Sequence, residues 1–209
     1  MGSQLSSFAA SSLYRLLPSL HLLSYATLLG TGIYQTFFMT KICFQALPMS
    51  AFTTLQKRVF PVYFQMQLVL ATATLVTYLP SGPVSLKNSP TDFSILALNV
   101  ALSALNFFKY GPRTSAVMVE RIHQGVWHSR IGSKTKDDPN VSRAQLLTAT
   151  CKLETRDGKK YNAKDTSEEM RKINRRFSRE HAMSIHLNLI AVLASLGYGF
   201  RLAPHIQIK

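Results

Sequence analysis

The chain has 209 residues, 24 Lys and Arg against 10 Asp and Glu, and a formal net charge of +14. Its two cysteines, Cys43 and Cys151, have no CxxC neighbour and do not make a disulfide framework. The charge alone points to nucleic acid or an anionic surface, but its placement favours the second. Leu16 to Thr40, Val59 to Leu86, Phe93 to Phe108 and Ala182 to Phe200 contain no Asp, Glu, Lys or Arg, and no acidic residue precedes Asp92. A mean hydropathy of +0.06 therefore averages two materials. A centred charge costs about 2.5 to 3.5 kcal/mol on insertion scales, so a bilayer demands this separation.

A spanning helix needs about 20 mostly apolar residues. Four segments qualify, which predicts an all-α four-helix transmembrane bundle with a long basic loop between helices three and four. Residues 1–16 read as an N-terminal tail. Its opening, Met1-Gly2-Ser3-Gln4-Leu5-Ser6, fits a myristoylation pattern, and its Ser-rich, acid-free character weakly resembles a transit peptide. Residues 17–131 hold the first three spans and a stalk. Helix one is expected over Leu17 to Met39. Helix two is expected over Val59 to Leu79, with Pro61 in its first turn, where a missing N–H is tolerated, and Pro80, Gly82 and Pro83 at its end. Helix three is expected over Thr91 to Tyr110, with Lys109 snorkelling at its end. The helical spacing of Val117, Arg121, His123 and Trp127 continues it as a stalk, with a kink at Pro112.

Residues 132–165, rich in Ser, Thr, Lys, Asp and Gly, read as a flexible polar insertion with a short strand or helix at Ala144 to Leu153. Residues 166–209 hold a basic helix that leads into the fourth span, Ala182 to Leu202, and a C-terminal tail. Thr166 with Glu169 fits a capping box at the start of this helix. Solvation in water and contact with anionic headgroups both suit the basic helix.

Seventeen of the 24 Lys and Arg fall between Lys109 and Arg179. The positive-inside rule then puts loops one and three in the cytosol and both termini in the lumen or exterior. A lumenal N-terminus sits poorly with the myristoylation pattern. The endomembrane system is the expected location, with a mitochondrial membrane as the alternative.

Polar residues recur inside the spans. Asn99, Ser103 and Asn106 share one face of helix three. His181, Ser184 and Asn188 repeat the device on helix four. His21, Ser24, Thr31 and Gln35 lie on helix one, and Gln65, Thr72 and Thr74 on helix two. Facing lipid, such groups would be unpaired at several kcal/mol each, so they should meet in the interior. They serve either as interhelical hydrogen bonds or as the lining of a binding site or solute path. Gly30, Gly32, Gly197 and Gly199 offer places for close helix approach. No catalytic residue, cofactor or metal site is assigned. Glu180, His181 and His186 miss the HExxH spacing, and there is no phosphate loop, GxSxG or paired carboxylate within a span. The basic loop lacks the aromatic interleaving of a nucleic-acid binder, so no nucleic acid is expected.

Several local patterns together resemble the transmembrane protein 205 family. They are His21-Leu22-Leu23, Gly30, Thr36-Phe37, Phe44 and Leu47-Pro48 in the first span and beyond it. Next comes Gln56 to Phe64 with Phe60, Pro61 and Tyr63, then Asn106 followed by Pro112, Arg113 and Thr114. The last motif is Phe177, His181, Ser184 and Asn188-Leu189. The resemblance covers about 20–130 and 167–202. It implies a four-span membrane protein and supplies no reaction or cofactor. Members often carry an acidic residue before the proline, where this chain has Gly111.

These readings converge on a non-enzymatic multi-pass membrane protein that organises partners or lipids through its basic loop. Its partners are the bilayer, anionic headgroups and, for a bundle this small, further copies of itself. The alternative is a transporter or channel subunit for a small solute or metal species, working through the Asn/Ser/His seam.

Overall fold

The computed structural model describes the backbone of residues 2–78, 89–134 and 168–205, and the side chains of 16–48, 51–78, 89–124 and 168–204. No strand occurs among the described residues. The elements are α1 (Gly2–Ile33), a π turn (Tyr34–Met39), α2 (Thr40–Ala46), α3 (Met49–Val76), α4 (Pro90–Leu105), a second π turn (Asn106–Tyr110), α5 (Gly111–Lys134), α6 (Glu168–Leu202) and a 3-10 turn (Ala203–His205). The π turns run on into their neighbours, so the elements form four rods: α1–α2, α3, α4–α5 and α6. Each rod is long and apolar enough to cross a bilayer, over Leu16–Ala46, Ala51–Val76, Pro90–Gln124 and Glu168–Leu202.

Consecutive rods pack side by side, and rod four closes the ring more thinly against rod one. Contacts across each pair fix their directions. His21 meets Thr77 and Tyr198 at one end, and Asn106 meets Ser184 towards the other. Neighbouring rods are therefore antiparallel, in up-down-up-down order. One end of the bundle carries the link between rods two and three. The opposite end carries the Leu47-Pro48 link and the stalks formed by α5 and the first half of α6.

Burial is inverted relative to a water-soluble bundle. Leu23 and Phe200 are 64% and 80% exposed, whereas His21, Ser103 and Asn106 are each 1% exposed. Apolar residues face outward because hydrocarbon solvates them, and polar residues face inward because hydrocarbon cannot. The buried stripe is narrow and regular. It runs Ser184, Asn188, Ala191, Ser195, Tyr198 and Leu202 on α6, Asp92, Leu96, Asn99, Ser103 and Asn106 along rod three, and His21, Tyr25, Leu28, Gly32 and Gln35 along rod one. Steps of four and three alternate, the 3.5-residue period of a left-handed bundle.

The π turns reset this stripe. After Gln35 an unbroken alternation would carry Ile42 inward, but Ile42 is exposed and Cys43 is buried, as one inserted residue requires. In rod three, the Gly111 amide donates to the Asn106 carbonyl five residues back. Pro112 has no amide to donate and its ring crowds the preceding turn. The wide turn supplies the slack, and the helix continues through Pro112 to Lys134. The strain behind the expected kink at Pro112 is thus met by a π turn just before it.

The rods outrun their expected bounds. Helix one begins at Gly2 rather than Leu17, and α3 begins at Met49 rather than Val59. Pro61 therefore lies inside α3, not in its first turn. Lys41, Lys57 and Arg58, read as loop residues, are exposed on helical extensions, and the first loop shrinks to Leu47-Pro48. Span one has 31 residues, about 46 Å at 1.5 Å per residue. A hydrocarbon core of about 30 Å cannot cover all of it, so rod one is longer than a membrane crossing needs. The proposed turns at Pro80 to Pro83, the cap at Thr166, the Ala144 to Leu153 element and residues 135–165 of the insertion lie outside the described residues. Residues 132–134 are helical.

Candidate functional site

The interior of the bundle is a ladder of polar contacts along α6. At its centre Asn188 ties three rods together. Its Oδ1 accepts from Tyr63 Oη at 2.8 Å and from Gln67 Nε2 at 3.0 Å, and its Nδ2 donates to Thr36 Oγ1 at 2.7 Å. Gln67 Nε2 also lies 2.6 Å from the Tyr63 hydroxyl. Towards the stalk, Asn106 Nδ2 donates to the Ser184 carbonyl at 3.3 Å. Towards the other end, Asn99 Nδ2 donates to Ser195 Oγ at 2.6 Å and to the Ala191 carbonyl at 3.2 Å. Ser103, midway between Asn99 and Asn106, is buried.

An aromatic layer follows. His21 Nε2 and the Tyr198 hydroxyl share a 2.6 Å hydrogen bond, and His21 Nδ1 lies 3.3 Å from Thr77 Oγ1. Tyr25 donates to the Ser195 carbonyl at 3.1 Å and meets the Tyr198 ring edge to face at 5.4 Å. The ladder ends at buried Asp92, which accepts from Tyr78 Oη at 2.8 Å and pairs with Arg201.

Glycine permits two of these approaches. A Cβ on Gly199 would collide with the Tyr25 hydroxyl, and one on Gly32 would lie 3.2 Å from Val192 Cγ2. Gly30 and Gly197 have open space instead, so only one glycine of each pair serves close packing. At Gly111 a Cβ would stand 2.7 Å from the Asn106 carbonyl and 3.1 Å from the Phe64 ring. An acidic side chain does not fit there in this packing.

The structure therefore brings His21, Asn99, Ser103, Asn106, Ser184 and Asn188 into the buried ladder. It places His181 apart, half-buried at the base of the stalk and stacked on Phe177 at 5.2 Å. Tyr63 belongs to the central knot. Phe60 stacks on Phe64 at 5.9 Å, Pro61, Pro112 and Arg113 are exposed, and Thr114 is half-buried. On rod two, Gln65 and Thr72 prove exposed and Gln67 takes the inward place. Thr31 bonds only to the Thr27 and Leu28 carbonyls of its own helix. Sequence reasoning passed over Gln67, Ser195, Tyr198 and the Asp92–Arg201 pair. Continuing the four-three walk from Asn188 reaches Ser195 and Tyr198, and stepping back seven from Asn99 reaches Asp92. His186 is exposed, its Nδ1 2.6 Å from the Ala182 carbonyl. No trio of His, Cys, Asp or Glu placed to hold a metal occurs among the described residues.

Beyond the uncharged stretches, α5 and the first half of α6 pair as a stalk. Val117 and Ile173 are buried between them. Arg176 pairs with Glu120 at 3.3 Å, Gln124 donates to Glu169 at 2.9 Å, and Arg121 lies 5.5 Å over the Phe177 ring. Arg113, Arg171 and Arg175 are exposed on this stalk.

Four apolar rods closed around a polar ladder define a multi-pass helical membrane protein. Residues 23–123 match the family described as Domain of unknown function (DUF4149). The chain is also 36% identical over 186 residues to Xanthocillin biosynthesis cluster protein D of Aspergillus fumigatus, a match covering 89% of this chain and 88% of that protein. It belongs to that protein's family. No solved structure matches it.

Proposed function

We propose that this protein is a non-enzymatic membrane organiser that gathers anionic lipid headgroups around its basic stalk. One observation carries the reading. The α5–α6 pair spends Glu120, Glu169, Phe177 and Ile173 on holding itself together, while Arg113, Arg171 and Arg175 stay exposed beside the span ends. The stalk end then faces the cytosol of an endomembrane, where anionic lipid is concentrated, with both termini on the other side. The narrower likeness to the transmembrane protein 205 group, the homo-oligomer and the lack of a nucleic-acid partner belong to the same proposal. The test reconstitutes the full chain with spin-labelled phosphatidylserine or phosphatidylcholine. Each basic residue near an anionic surface contributes about 1 kcal/mol. Replacing Arg113, Arg171 and Arg175 with Gln should therefore erase most of a phosphatidylserine preference. A preference unchanged by the triple substitution sinks the proposal.

A second reading has one support, the naming of a relative for a xanthocillin biosynthesis cluster. A pathway that makes a small molecule has use for a transporter or channel subunit, and the Asn/Ser/His seam is where a solute or metal species would pass. Joint replacement of Asn106, His181 and Asn188 with Ala should then abolish flux in liposomes. The mutual bonding of Asn188, Tyr63, Gln67 and Thr36 favours the first reading, because it occupies the centre of any such path.

A further inference from the structure

The polar ladder leaves part of its bonding capacity unused. Gln67 Oε1, Asn99 Oδ1, Ser103 Oγ and Asn106 Oδ1 are fully buried with no hydrogen-bond partner among the described residues. All four side chains are within 3% of complete burial. Orphaned buried acceptors are rare in folded proteins and cost about 1 to 3 kcal/mol each. Three further such atoms among the described residues, Gln56 Oε1, Thr114 Oγ1 and Glu180 Oε2, belong to residues outside the ladder, whereas these four line about 10 Å of the bundle interior.

Their placement is coherent. Asn99, Ser103 and Asn106 lie one above another on rod three. Asn106 is tied to Ser184 and Asn99 to Ala191 and Ser195, so Ser103 between them comes level with Asn188. Gln67 bonds Asn188 through its amide nitrogen, which leaves its carbonyl oxygen at that same level. Three of the four atoms are amide oxygens, which only accept, and the fourth is a hydroxyl, which does both. The occupant must therefore donate hydrogen bonds. Nothing anionic stands among these residues. Charge taken into such surroundings without a counter-ion costs several kcal/mol, which rules against a cation and for a neutral donor.

We propose that the bundle interior at the level of Asn188 is a binding site for a small uncharged hydrogen-bond donor, held by Gln67, Ser103 and Asn106 with Asn99 at its edge. Water is the smallest molecule of this chemistry, and a compact solute bearing N–H or O–H is the other source. The Asn106–Ser184 and Asn99–Ser195 bonds bracket the site along the axis, so it is an enclosed site rather than an open passage. This goes beyond the stalk reading and stands without it.

The experiment uses the full chain, with backbone amides and Asn and Gln side-chain amides labelled, in phosphatidylcholine nanodiscs. Magnetisation transfer from water protons is read at each amide, with urea as the solute probe. Transfer to the Gln67 and Asn106 amides approaching that at Gln124 on the stalk supports the proposal. If urea then suppresses that transfer, the site takes solutes; if urea leaves it unchanged, the occupant is water. Transfer no faster than at the amide of lipid-facing Leu193, with or without urea, overturns it. A second measurement uses Ser103→Val in the same nanodiscs. An occupied site predicts an unchanged or lowered melting temperature and lost transfer at Asn106. A rise of about 2 to 4 °C would mean that the hydroxyl had been dry and orphaned, and overturns the proposal as well.

Discussion

Rods three and four meet twice, by opposite means. Within the spans they join through neutral groups that are almost wholly buried, Asn99 and Asn106 against Ser184, Ala191 and Ser195. In the stalk they join through charges left in water, Arg176 and Glu120 being 54% and 45% exposed. The surroundings decide which chemistry holds. In water a charge pair is cheap to solvate and contributes little, so the stalk can carry many charges and be tuned by salt. In hydrocarbon a lone charge is prohibitive, whereas an amide or hydroxyl needs only a partner. The one carboxylate in the described ladder, Asp92, sits at the bundle's end and is paired with Arg201.

Three substitutions test that contrast. The largest effect is expected from Asn188→Leu, which strips partners from Tyr63, Gln67 and Thr36 at once. At the roughly 0.6 kcal/mol or more measured per bond inside membranes, three bonds amount to about 2 kcal/mol or beyond. Thermal unfolding in detergent micelles reads it, and a midpoint shift of under 1 °C would deny the ladder its structural weight. Next comes Gly111→Asp. It sets a Cβ against the Asn106 carbonyl and the Phe64 ring, an overpacking cost of about 1 to 3 kcal/mol, whereas Gly30→Ala in open space should be near neutral in the same assay. Similar losses from the two would show that the π turn at Gly111 yields freely. The smallest effect belongs to Glu120→Gln. It removes an exposed pair contributing about 0.2 to 1 kcal/mol and should vanish at high salt. A large, salt-insensitive loss would mean the stalk is buried against something else.

Much of this architecture is legible along the chain. The uncharged runs mark the four spans, and the intervals between Asn99, Ser103 and Asn106, and between Ser184 and Asn188, mark the inward faces, because a 3.5-residue period needs no partner to be visible. Helix ends read less well. Hydropathy registers where lipid stops and not where the helix stops, so it leaves Met49 to Arg58 outside the second span although they are helical.

Read alone, the chain specifies the solvent of each segment: where charge is missing for 16 to 28 residues at a stretch, hydrocarbon suits the chain better than water. Which polar groups meet is set by the packing of the rods. Gln67 and Gln65 are alike in chemistry and two residues apart, yet on a helix that spacing turns them to different faces, and one is buried at Asn188 while the other is exposed. The Asp92–Arg201 pair joins residues 109 positions apart. Partners so remote are chosen by the packing of whole rods and by the single residue each π turn inserts, and neither is written in any local pattern.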